Sequence, residues 1–364
     1  MIIKTITCHD VYNHGASLQA FALQRYLSSK GHEVEIIDYK PDYLSRHYLL
    51  TDVNPAYDKP LVKWLYILAK LPGRLLIRPR KWAFDLFRHK YLRCTGKRYR
   101  SNEELKADPP KADAYIAGSD QIWNTLFPNG KDPAFYLDFA PTGTKKISFS
   151  ASFASKSIDP GFFNEIARRL ASFDAVAVRE ESTLPLLSAL GRPDGVATCD
   201  PCFLLSAEEW SAFARGHKPR GQYLLVYDFE DCDIIREVAT QIAEQEGLKI
   251  YNIGPRRLPY ADRNYLLHGP RKFIQLVRNA EYIVSNSFHA TAFSILFKRP
   301  FCVIQRTEQI NERMISLLSG LNLDDRIVDR FTPALLEPID YEQVTPLLAS
   351  KICSSKRFLS DSLQ

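Results

Sequence analysis

The sequence has no hydrophobic run long enough to cross a membrane, since none approaches the ~18 uncharged apolar residues required. It begins MIIKTITCHD, without the charged start, apolar run and small-residue cleavage site of a signal peptide. Its seven cysteines are an odd number and are scattered along the chain, which argues against a disulfide framework and is typical of reduced thiols. These absences predict a soluble cytoplasmic protein.

Several motifs of catalysis and cofactor binding are also missing. The chain contains no G-x-G-x-x-G, P-loop, H-E-x-x-H or nucleophile-elbow sequence. Cys199 and Cys202 have redox spacing, but they have no second cysteine pair with which to bind zinc. We therefore predict neither a bound metal nor a resident cofactor.

What the chain does have is size, a hydrophobic content of 45% and a strongly uneven charge. Its 364 residues correspond to two or three domains at roughly 150 residues per domain. The net charge is +6, yet between Lys59 and Arg100 there are thirteen Lys and Arg against the single acid Asp85. The rest of the chain is therefore acidic, and the basicity belongs to one segment.

This basic segment, 59–100, also contains aromatic residues and places Leu61, Leu65 and Leu68 on one helical face, with Pro72 predicted to break the helix. One interpretation is a helical insertion with solvated charges. The other is a peripheral contact with anionic lipid, because basic amphipathic helices lie well in a membrane interface. No motif for reading nucleic acid accompanies the charge, so we expect no nucleic-acid partner.

Short apolar runs alternate with helical patterns along most of the chain. In the first half the predicted strands are 2–7, 34–37, 115–117, 147–149 and 175–178, and the predicted helices are 17–30, 162–170 and 184–190. After residue 221 the alternation restarts, with strands at 223–227, 248–253, 282–284 and 301–304 and helices at 232–245, 271–280 and 289–297. The pattern predicts an α/β protein with two parallel sheets.

We place the domain boundary near residue 215. The prediction is an N-terminal Rossmann-like domain over 1–215, with a basic helical insertion at about 56–105, and a C-terminal Rossmann-like domain over 216–340. Residues 341–364 are predicted to form a helix that can cross back to the first domain.

Ligands of such sheets bind where strands end and helices begin, because helix N-termini offer free N–H groups. Polar residues follow four of the predicted strands, at Cys8 to Gly15, Gly118 to Asn124, Arg179 to Ser182 and Ser285 to Thr291. His289 is predicted to lie in the first turn of its helix, where it can act as a general acid or base, although it can equally cap that helix.

At these positions the sequence resembles the polysaccharide pyruvyl transferases. The matching stretches, in the family's order, are NHGASLQAFALQ from Asn13, YIAGSDQIWN from Tyr115, VAVREEST from Val176, DPCFLL from Asp200 and SNSFHATAFSILFKRPF from Ser285. The second and the last are specific signals, and the first and DPCFLL are weak alone. The resemblance implies two Rossmann-like domains in a GT-B-like arrangement, with the active site in the interdomain cleft.

The resemblance also implies a reaction, in which pyruvate moves from phosphoenolpyruvate onto a sugar of a cell-surface polysaccharide precursor. The product is a cyclic ketal, and phosphate is released. His289 matches the family's motif histidine and is expected to be catalytic, with Asp120 as a second candidate. The residues expected to bind the donor are Arg179, Asn286, Ser287, Arg306 and Arg313. Those expected to line the cleft or bind the acceptor are Asn13, His14, Gly15, Gln19, Ser119, Gln121 and Trp123.

One departure concerns anion binding. Some family members have an arginine where this chain has Ser287, so we expect Arg306, Arg313 or Lys298 to compensate, unless each is only a surface charge. Family members often use acceptors carried on lipid at the cytoplasmic face of the membrane, which the basic segment suits. Two other functions stay open at this point: a GT-B nucleotide-sugar glycosyltransferase and a non-catalytic binding protein.

Overall fold

The first sheet is built from five short strands, and its three central strands are almost completely buried. The computed structural model describes residues 1–44, 60–216, 218–308 and 310–364. The strands are β1 (Ile2–Ile6), β2 (Glu33–Tyr39), β3 (Cys94–Tyr99), β4 (Ala114–Ala117) and β5 (Lys145–Ser148). They are all parallel, in the order β3-β2-β1-β4-β5, and Thr5 of β1 pairs with Ile36 on one side and Ile116 on the other. A buried parallel sheet requires the continuous apolar strands seen in the sequence.

Helices connect and cover these strands. They are α1 (His14–Ser29), α2 (Pro60–Leu76), α3 (Arg78–Tyr91), α4 (Asn102–Ala107), α5 (Phe163–Leu170) and α6 (Leu184–Ala189). A two-stranded parallel sheet follows, formed by β6 (Ala177–Val178) and β7 (Val196–Ala197), and α7 (Ala207–Phe213) leads to the second half. Short 3-10 helices lie at Pro128–Lys131, Pro133–Tyr136, Pro160–Phe162, Glu181–Thr183 and Pro201–Leu204.

The second half repeats the arrangement with a second five-stranded sheet. Its elements are β8 (Tyr223–Tyr227), α8 (Asp233–Glu246), β9 (Lys249–Asn252), β10 (Arg263–Asn264), α9 (Pro270–Asn279), β11 (Tyr282–Ser285), α10 (Phe288–Leu296), β12 (Phe301–Val303), α11 (Glu312–Ser319) and α12 (Tyr341–Ser362), with 3-10 helices at Asp324–Arg326 and Pro333–Leu336. The strand order β10-β9-β8-β11-β12 is again that of a doubly wound Rossmann-like sheet.

The largest apolar cluster joins the two halves. It contains Leu18 of α1, Trp210 of α7, Phe273 of α9 and Phe293 of α10, all buried. Trp210 packs edge-on against Phe293, with ring centroids 5.0 Å apart. Because α1 starts at the end of β1 and α10 at the end of β11, this packing brings the two strand ends toward one another.

The C-terminal helix α12 packs on the first half of the chain. Phe358 stacks on Phe149, and Ser355 Oγ accepts a hydrogen bond of 2.8 Å from the amide of Cys199. Lys351 pairs with Glu181. The helix therefore forms one wall of the region next to β6 and β7.

The basic segment differs from its prediction in two respects. Helix α2 runs through Pro72 and ends only at Leu76; Pro72 is exposed, so the carbonyl that loses its partner can be solvated. The end of the predicted insertion is not helical, because residues 94–99 form β3 at the sheet edge. The sequence pattern does not indicate this strand because it contains glycine and charged residues. An edge strand needs no continuous apolar pattern. The predicted start of the insertion, at about residue 56, lies outside the described residues.

Candidate active site between the two sheets

His289 lies in the first turn of α10, as its position after a buried strand predicts. Ser287 is the N-cap of this helix, and its Oγ accepts a hydrogen bond of 3.4 Å from the amide of Ala290. Asn286 donates from Nδ2 to Asp228 Oδ1 at 2.7 Å and accepts from the amide of Phe229. Asn286 and Ser287 therefore hold the turn that presents His289.

The carboxylate nearest to His289 is that of Asp200. Asp200 Oδ2 lies 3.5 Å from His289 Nε2 and 2.9 Å from Arg179 Nη2, and Ser119 Oγ donates to it at 3.3 Å. Its side chain is completely buried. Burial alone would raise the pKa of Asp200, but the charges of Arg179 and His289 outweigh it and hold that pKa well below its usual value. Asp200 is therefore a buried anion between an arginine and a histidine.

Arg179 and Arg313 converge above one aromatic ring. Their guanidinium carbons lie 4.6 and 5.7 Å from the ring centroid of Phe288. Arg313 Nη1 lies 3.4 Å from Asp120 Oδ1, and Arg179 Nη1 lies 3.9 Å from the same oxygen. Burial is the main cause that lowers the pKa of Arg313 to about 10, against the charge of Asp120.

Asp120 occupies a strained position next to these arginines. Its φ of 77° lies in the left-handed region, which aspartate tolerates better than most residues. The structure thus places this predicted catalytic residue beside Arg313 and Arg179, while Asp200 takes the position beside His289.

The loop after β1 brings the first half of the chain against His289. Asn13 caps α1, accepting hydrogen bonds from the amides of Gly15 and Ala16 at 2.9 and 3.3 Å. A Cβ built on Gly15 would stand 1.9 Å from His289 Nδ1, so only glycine fits there. His14 is buried between Phe84 of α3 and Phe273 of α9, with centroids 5.0 and 5.2 Å away.

A cavity of about 440 Å³ opens beside this cluster. Its wall includes Arg179, Asp200, Phe288 and Arg313, and α12 contributes Lys351 and Ser355. A cavity of this size accommodates a small metabolite. No pattern in the sequence indicated that α12 would line it, because that contact depends on where the helix returns.

Of the other predicted residues, Ser119 belongs to the site, and Gln19 and Gln121 hold the neighbouring helix and loop in place. Ser119 joins the cluster and accepts a hydrogen bond of 2.6 Å from Arg179 Nη2. Gln19 is buried and donates to Thr7 Oγ1 and to the carbonyl of Ala16, at 2.9 and 3.0 Å. Gln121 accepts from Asn124 Nδ2 at 2.7 Å, which shapes the loop after β4.

Two predicted positions do not fit their expected role. Trp123 does not line the cleft: it is fully buried in the core of the first half, stacked on Tyr136, and its Nε1 donates to the carbonyl of Phe135 at 3.0 Å. Burying the large apolar surface of the indole ring in the core is more favourable than exposing it in the cleft. Arg306 pairs with Glu230 and Glu308 and does not line the cavity, whereas Arg179 and Arg313 do.

Sequence reasoning missed Asp200 as a site residue. It lies in the DPCFLL stretch shortly after β7, which matches the family, but the stretch itself assigns no role to the carboxylate. Among the described residues, Asp200, Cys202 and His289 form the group whose ligand atoms lie within 4.8 Å of one another and could hold a metal ion. Arg179 pairs with the same carboxylate, so a cation there would have to displace the guanidinium.

Comparison with protein-family models gives a match to one family, described as polysaccharide pyruvyl transferase, over residues 13–307. The match covers most of the chain and includes Asp120, Arg179, Asp200 and His289, whereas Arg313 and α12 lie beyond it. The chain belongs to the polysaccharide pyruvyl transferase family. Membership of this family makes it a transferase of the polysaccharide pyruvyl transferase type, as the resemblance of its motifs implied. No curated protein matches the sequence.

Solved structures show the fold of this family member. UDP-N-acetylglucosamine 2-epimerase from Rickettsia bellii is 13% identical, with a TM-score of 0.51 and coverage of 100% of this chain and 95% of that one. UDP-GlcNAc 2-epimerase from Methanocaldococcus jannaschii is 14% identical, with a TM-score of 0.47 and coverage of 96% and 92%. The glycosyltransferase SsfS6 of Streptomyces sp. SF2575, complexed with thymidine diphosphate, is 14% identical, with a TM-score of 0.43 and coverage of 100% of both chains. The predicted GT-B-like arrangement of two Rossmann-like halves is confirmed. Within the described ranges, no helix combines the length and hydrophobicity that a membrane crossing needs.

Proposed function

We propose that this transferase moves pyruvate from phosphoenolpyruvate onto a sugar of a cell-surface polysaccharide precursor, with formation of a cyclic ketal and release of phosphate. Family membership supports the reaction type. The proposal depends on one observation above all, the pair of buried arginines that faces the cavity beside His289.

These arginines suit a small dianion. Nε and Nη1 of Arg179 and Nε of Arg313 are buried and donate no hydrogen bond to any residue that the structure describes. Buried N–H groups of this kind are normally satisfied, so a ligand is the expected partner. Phosphoenolpyruvate carries a carboxylate and a phosphate, and the guanidinium fork binds either group with two N–H donors.

The reaction requires one proton to be gained and two to be lost. The methylene carbon of phosphoenolpyruvate gains a proton and becomes a methyl group, which leaves an oxocarbenium-like carbon at C2. A first sugar hydroxyl attacks C2 and loses its proton, and the bond between C2 and the phosphate oxygen breaks as phosphate leaves. A second hydroxyl then attacks C2 and loses its proton, which closes the ketal. The two hydroxyls lose two protons and the new methyl group takes up one, so one proton leaves with phosphate or passes to solvent.

His289 is the group that exchanges these protons in the proposal. Its Nε2 is buried, forms no hydrogen bond to a described residue, and lies 3.5 Å from the carboxylate of Asp200. A buried carboxylate beside a histidine orients the ring. Asp200 is thus a positioning residue, and Arg179 and Arg313 stabilise the charge that develops on the departing phosphate.

Calorimetric titration with phosphoenolpyruvate tests the donor assignment. Arg313→Gln should weaken binding by about tenfold or more, because a charge-assisted hydrogen bond contributes at least ~1.4 kcal/mol. Arg330→Gln is the control, since that arginine is 79% exposed. Unchanged affinity in Arg313→Gln contradicts the proposal. Binding of a uridine diphosphate sugar without binding of phosphoenolpyruvate would favour the nucleotide-sugar glycosyltransferase instead.

We further propose that the protein contacts the anionic face of a membrane at the cytoplasmic side, through α2 and α3. These helices expose large apolar side chains, namely Val62, Trp64, Leu65, Leu68, Leu75, Leu76, Trp82 and Leu86. Trp64 and Trp82 are 64% and 68% exposed. Lysines and arginines alternate with them, and Asp85 is the single acid of the two helices. Apolar and cationic groups on one surface suit a lipid interface, which also provides access to a lipid-linked oligosaccharide acceptor.

Sedimentation with vesicles tests this contact. The protein should sediment with anionic vesicles and not with neutral ones, and replacing Lys63, Lys70 and Arg74 with glutamine should reduce the bound fraction. Replacing both Trp64 and Trp82 with serine should do so at high salt as well, because burial of apolar surface is not screened. Arg168→Gln, on exposed α5, is the control. Binding that does not depend on either set of residues contradicts the proposal.

A further inference from the structure

A groove of about 300 Å³ lies between α3 and the start of α9, and none of the active-site residues lines it. The two sides of the groove are in close contact, since a Cβ built on Gly269 would stand 2.9 Å from the carbonyl oxygen of Ala83. Helix α3 belongs to the first half of the chain and α9 to the second. A molecule bound in this groove therefore contacts both halves.

Most of the side chains that line the groove are apolar or aromatic. They are Trp82, Ala83, Leu86, Phe87, Tyr91 and Pro270. Trp82 and Leu86 are 68% and 48% exposed, and both also belong to the apolar surface of α2 and α3 that is proposed above to contact a membrane. Exposed apolar surface that is rimmed by polar groups is typical of an interaction site. The groove is therefore continuous with the proposed membrane surface.

The charged part of the lining is entirely positive. Lys90, Arg271 and Lys272 line the groove, and no acid is among the described residues that do so. The ammonium groups of Lys90 and Lys272 lie over the rings of Tyr91 and Tyr265, at 5.6 and 5.2 Å from the ring centroids. Arg271 donates from Nε and Nη2 to two backbone carbonyls at the end of α7, at 3.1 and 2.9 Å, and these neutral acceptors leave its charge without a counter-ion.

Lys272 lies where a cation is disfavoured by its surroundings. It belongs to the first turn of α9, which contains no acid, and the partial positive charge of a helix N-terminus repels a cation there. Burial lowers the pKa of Lys272, and no neighbouring carboxylate raises it again. Lys90 and Lys272 form no ion pair with any acid in the described part of the chain. A bound anion would supply the missing negative charge.

We propose that this groove binds one anionic phospholipid, with an acyl chain against Trp82 and Leu86 and the headgroup beside Lys90 and Lys272. An amphiphile with a negative charge matches an apolar lining that carries only cations. Ammonium groups act as point charges, so the site selects for net negative charge and not for one particular headgroup. Because Lys90 lies on α3 and Lys272 on α9, the lipid contacts both halves of the chain. The choice of a membrane lipid rests on the membrane contact proposed above.

Calorimetric titration with dihexanoylphosphatidylglycerol, kept below its critical micelle concentration, tests the site without a membrane. The wild-type protein should bind it about tenfold or more tightly than dihexanoylphosphatidylcholine, which has no net charge. The groove variant Lys90→Gln with Lys272→Gln should weaken binding by about tenfold or more, because two cations are removed. Lys81→Gln with Arg278→Gln is the matched control, since it removes one cation from each of the same helices outside the groove. Equal affinity of the wild type and the groove variant, or an equal loss in the control, overturns the proposal.

Two other ligands and a sedimentation assay separate this site from its alternatives. Glycerol 3-phosphate should bind about tenfold or more weakly than the lipid, because it buries no acyl chain; equal affinity would identify a free anion as the ligand and overturn the assignment. Geranyl phosphate should not displace the phosphatidylglycerol at equal concentration, and displacement overturns the choice of a phospholipid. A wild-type protein that binds the monomeric lipid but does not sediment with anionic vesicles refutes the membrane contact alone. A protein that sediments with them but does not bind the monomeric lipid refutes this site alone.

Discussion

Gly15 and His289 touch across the junction of the two halves, and the contact leaves no room for a side chain. A Cβ on Gly15 would stand 1.9 Å from Nδ1 and 2.2 Å from Cγ of His289. Gly15 belongs to the first turn of α1 and His289 to the first turn of α10. The position of the histidine ring is therefore determined by the other half of the molecule as well as by its own helix.

Replacing Gly15 with alanine should displace His289. Alanine is favoured over glycine in a helix by up to ~1 kcal/mol, yet here we expect a loss of about 1–3 kcal/mol of unfolding free energy, because the methyl group overlaps the ring. Transfer of label from radiolabelled phosphoenolpyruvate to saccharide should fall by about a hundredfold. Gly96→Ala is the control, because no atom lies within 4 Å of its added Cβ. Equal activity in the two variants would contradict a role for this contact.

Asp200→Asn should destabilise the protein and slow the transfer reaction. The amide keeps the shape of the side chain but removes the nearer counter-ion of the buried Arg179 and leaves it only Asp120, at 3.9 Å, which costs about 3 kcal/mol in urea unfolding. Asp194→Asn is the comparison, since Asp194 also pairs with an arginine but its side chain is 58% exposed, and its effect should stay below about 1 kcal/mol. Similar losses of unfolding free energy in both variants would contradict the prediction that burial makes the Asp200–Arg179 pair the more stabilising one.

The buried pair of His9 and Asp38 predicts a loss of stability at alkaline pH. Asp38 raises the pKa of His9 to about 9 against the effect of burial, from an ordinary value of 6.5. The folded state therefore holds a proton that the unfolded state has lost, and the stabilisation is complete below pH 6.5 and disappears as the pH rises through about 9. Urea unfolding should show a slope of about 1.4 kcal/mol per pH unit in this window. His9→Gln should remove that slope, and the control His89→Gln, at an exposed position, should keep it.

His14 predicts the opposite dependence on the acid side. Burial, followed by the charges of Arg80 and His268, lowers the pKa of His14 well below its ordinary value of 6.5. The unfolded chain therefore binds a proton that the folded protein excludes, so stability should fall by up to about 1.4 kcal/mol per pH unit as the pH drops below 6.5. Thermal unfolding between neutral pH and pH 5 measures the effect. His14→Phe keeps an aromatic ring between Phe84 and Phe273 and should reduce the acid sensitivity; an unchanged profile would assign it to other groups.

Much of the fold was predictable because its elements are strongly patterned. The strands β8 and β11 read as continuous apolar runs, and both are completely buried in their sheet. Two features of the basic segment escaped prediction. Strand β3 lies at a sheet edge and needs no apolar pattern, and α2 continues through Pro72 because the exposed helix tolerates the missing hydrogen bond.

The candidate site was predictable only in part. His289, Arg179 and Ser119 follow strand ends, and parallel strands direct their C-terminal ends to one edge. Trp123 follows the same rule and nevertheless lies in the core, since spacing along a loop does not say which side chain turns inward. Asp200 belongs to the DPCFLL motif, but its role depends on the proximity of Arg179 and His289, which belong to distant parts of the chain.

The sequence by itself determined the two α/β halves, the basic segment and the family, because periodicity, charge and motif order are local properties of the chain. The tertiary structure alone decided which carboxylate meets His289, which arginines face the cavity and that α12 forms one of its walls. Those choices depend on contacts between residues far apart in the chain, such as Arg313 with Asp120 and Ser355 with Cys199. They are established only when the apolar faces of α1, α9 and α10 pack together and bring the ends of two sheets into one site.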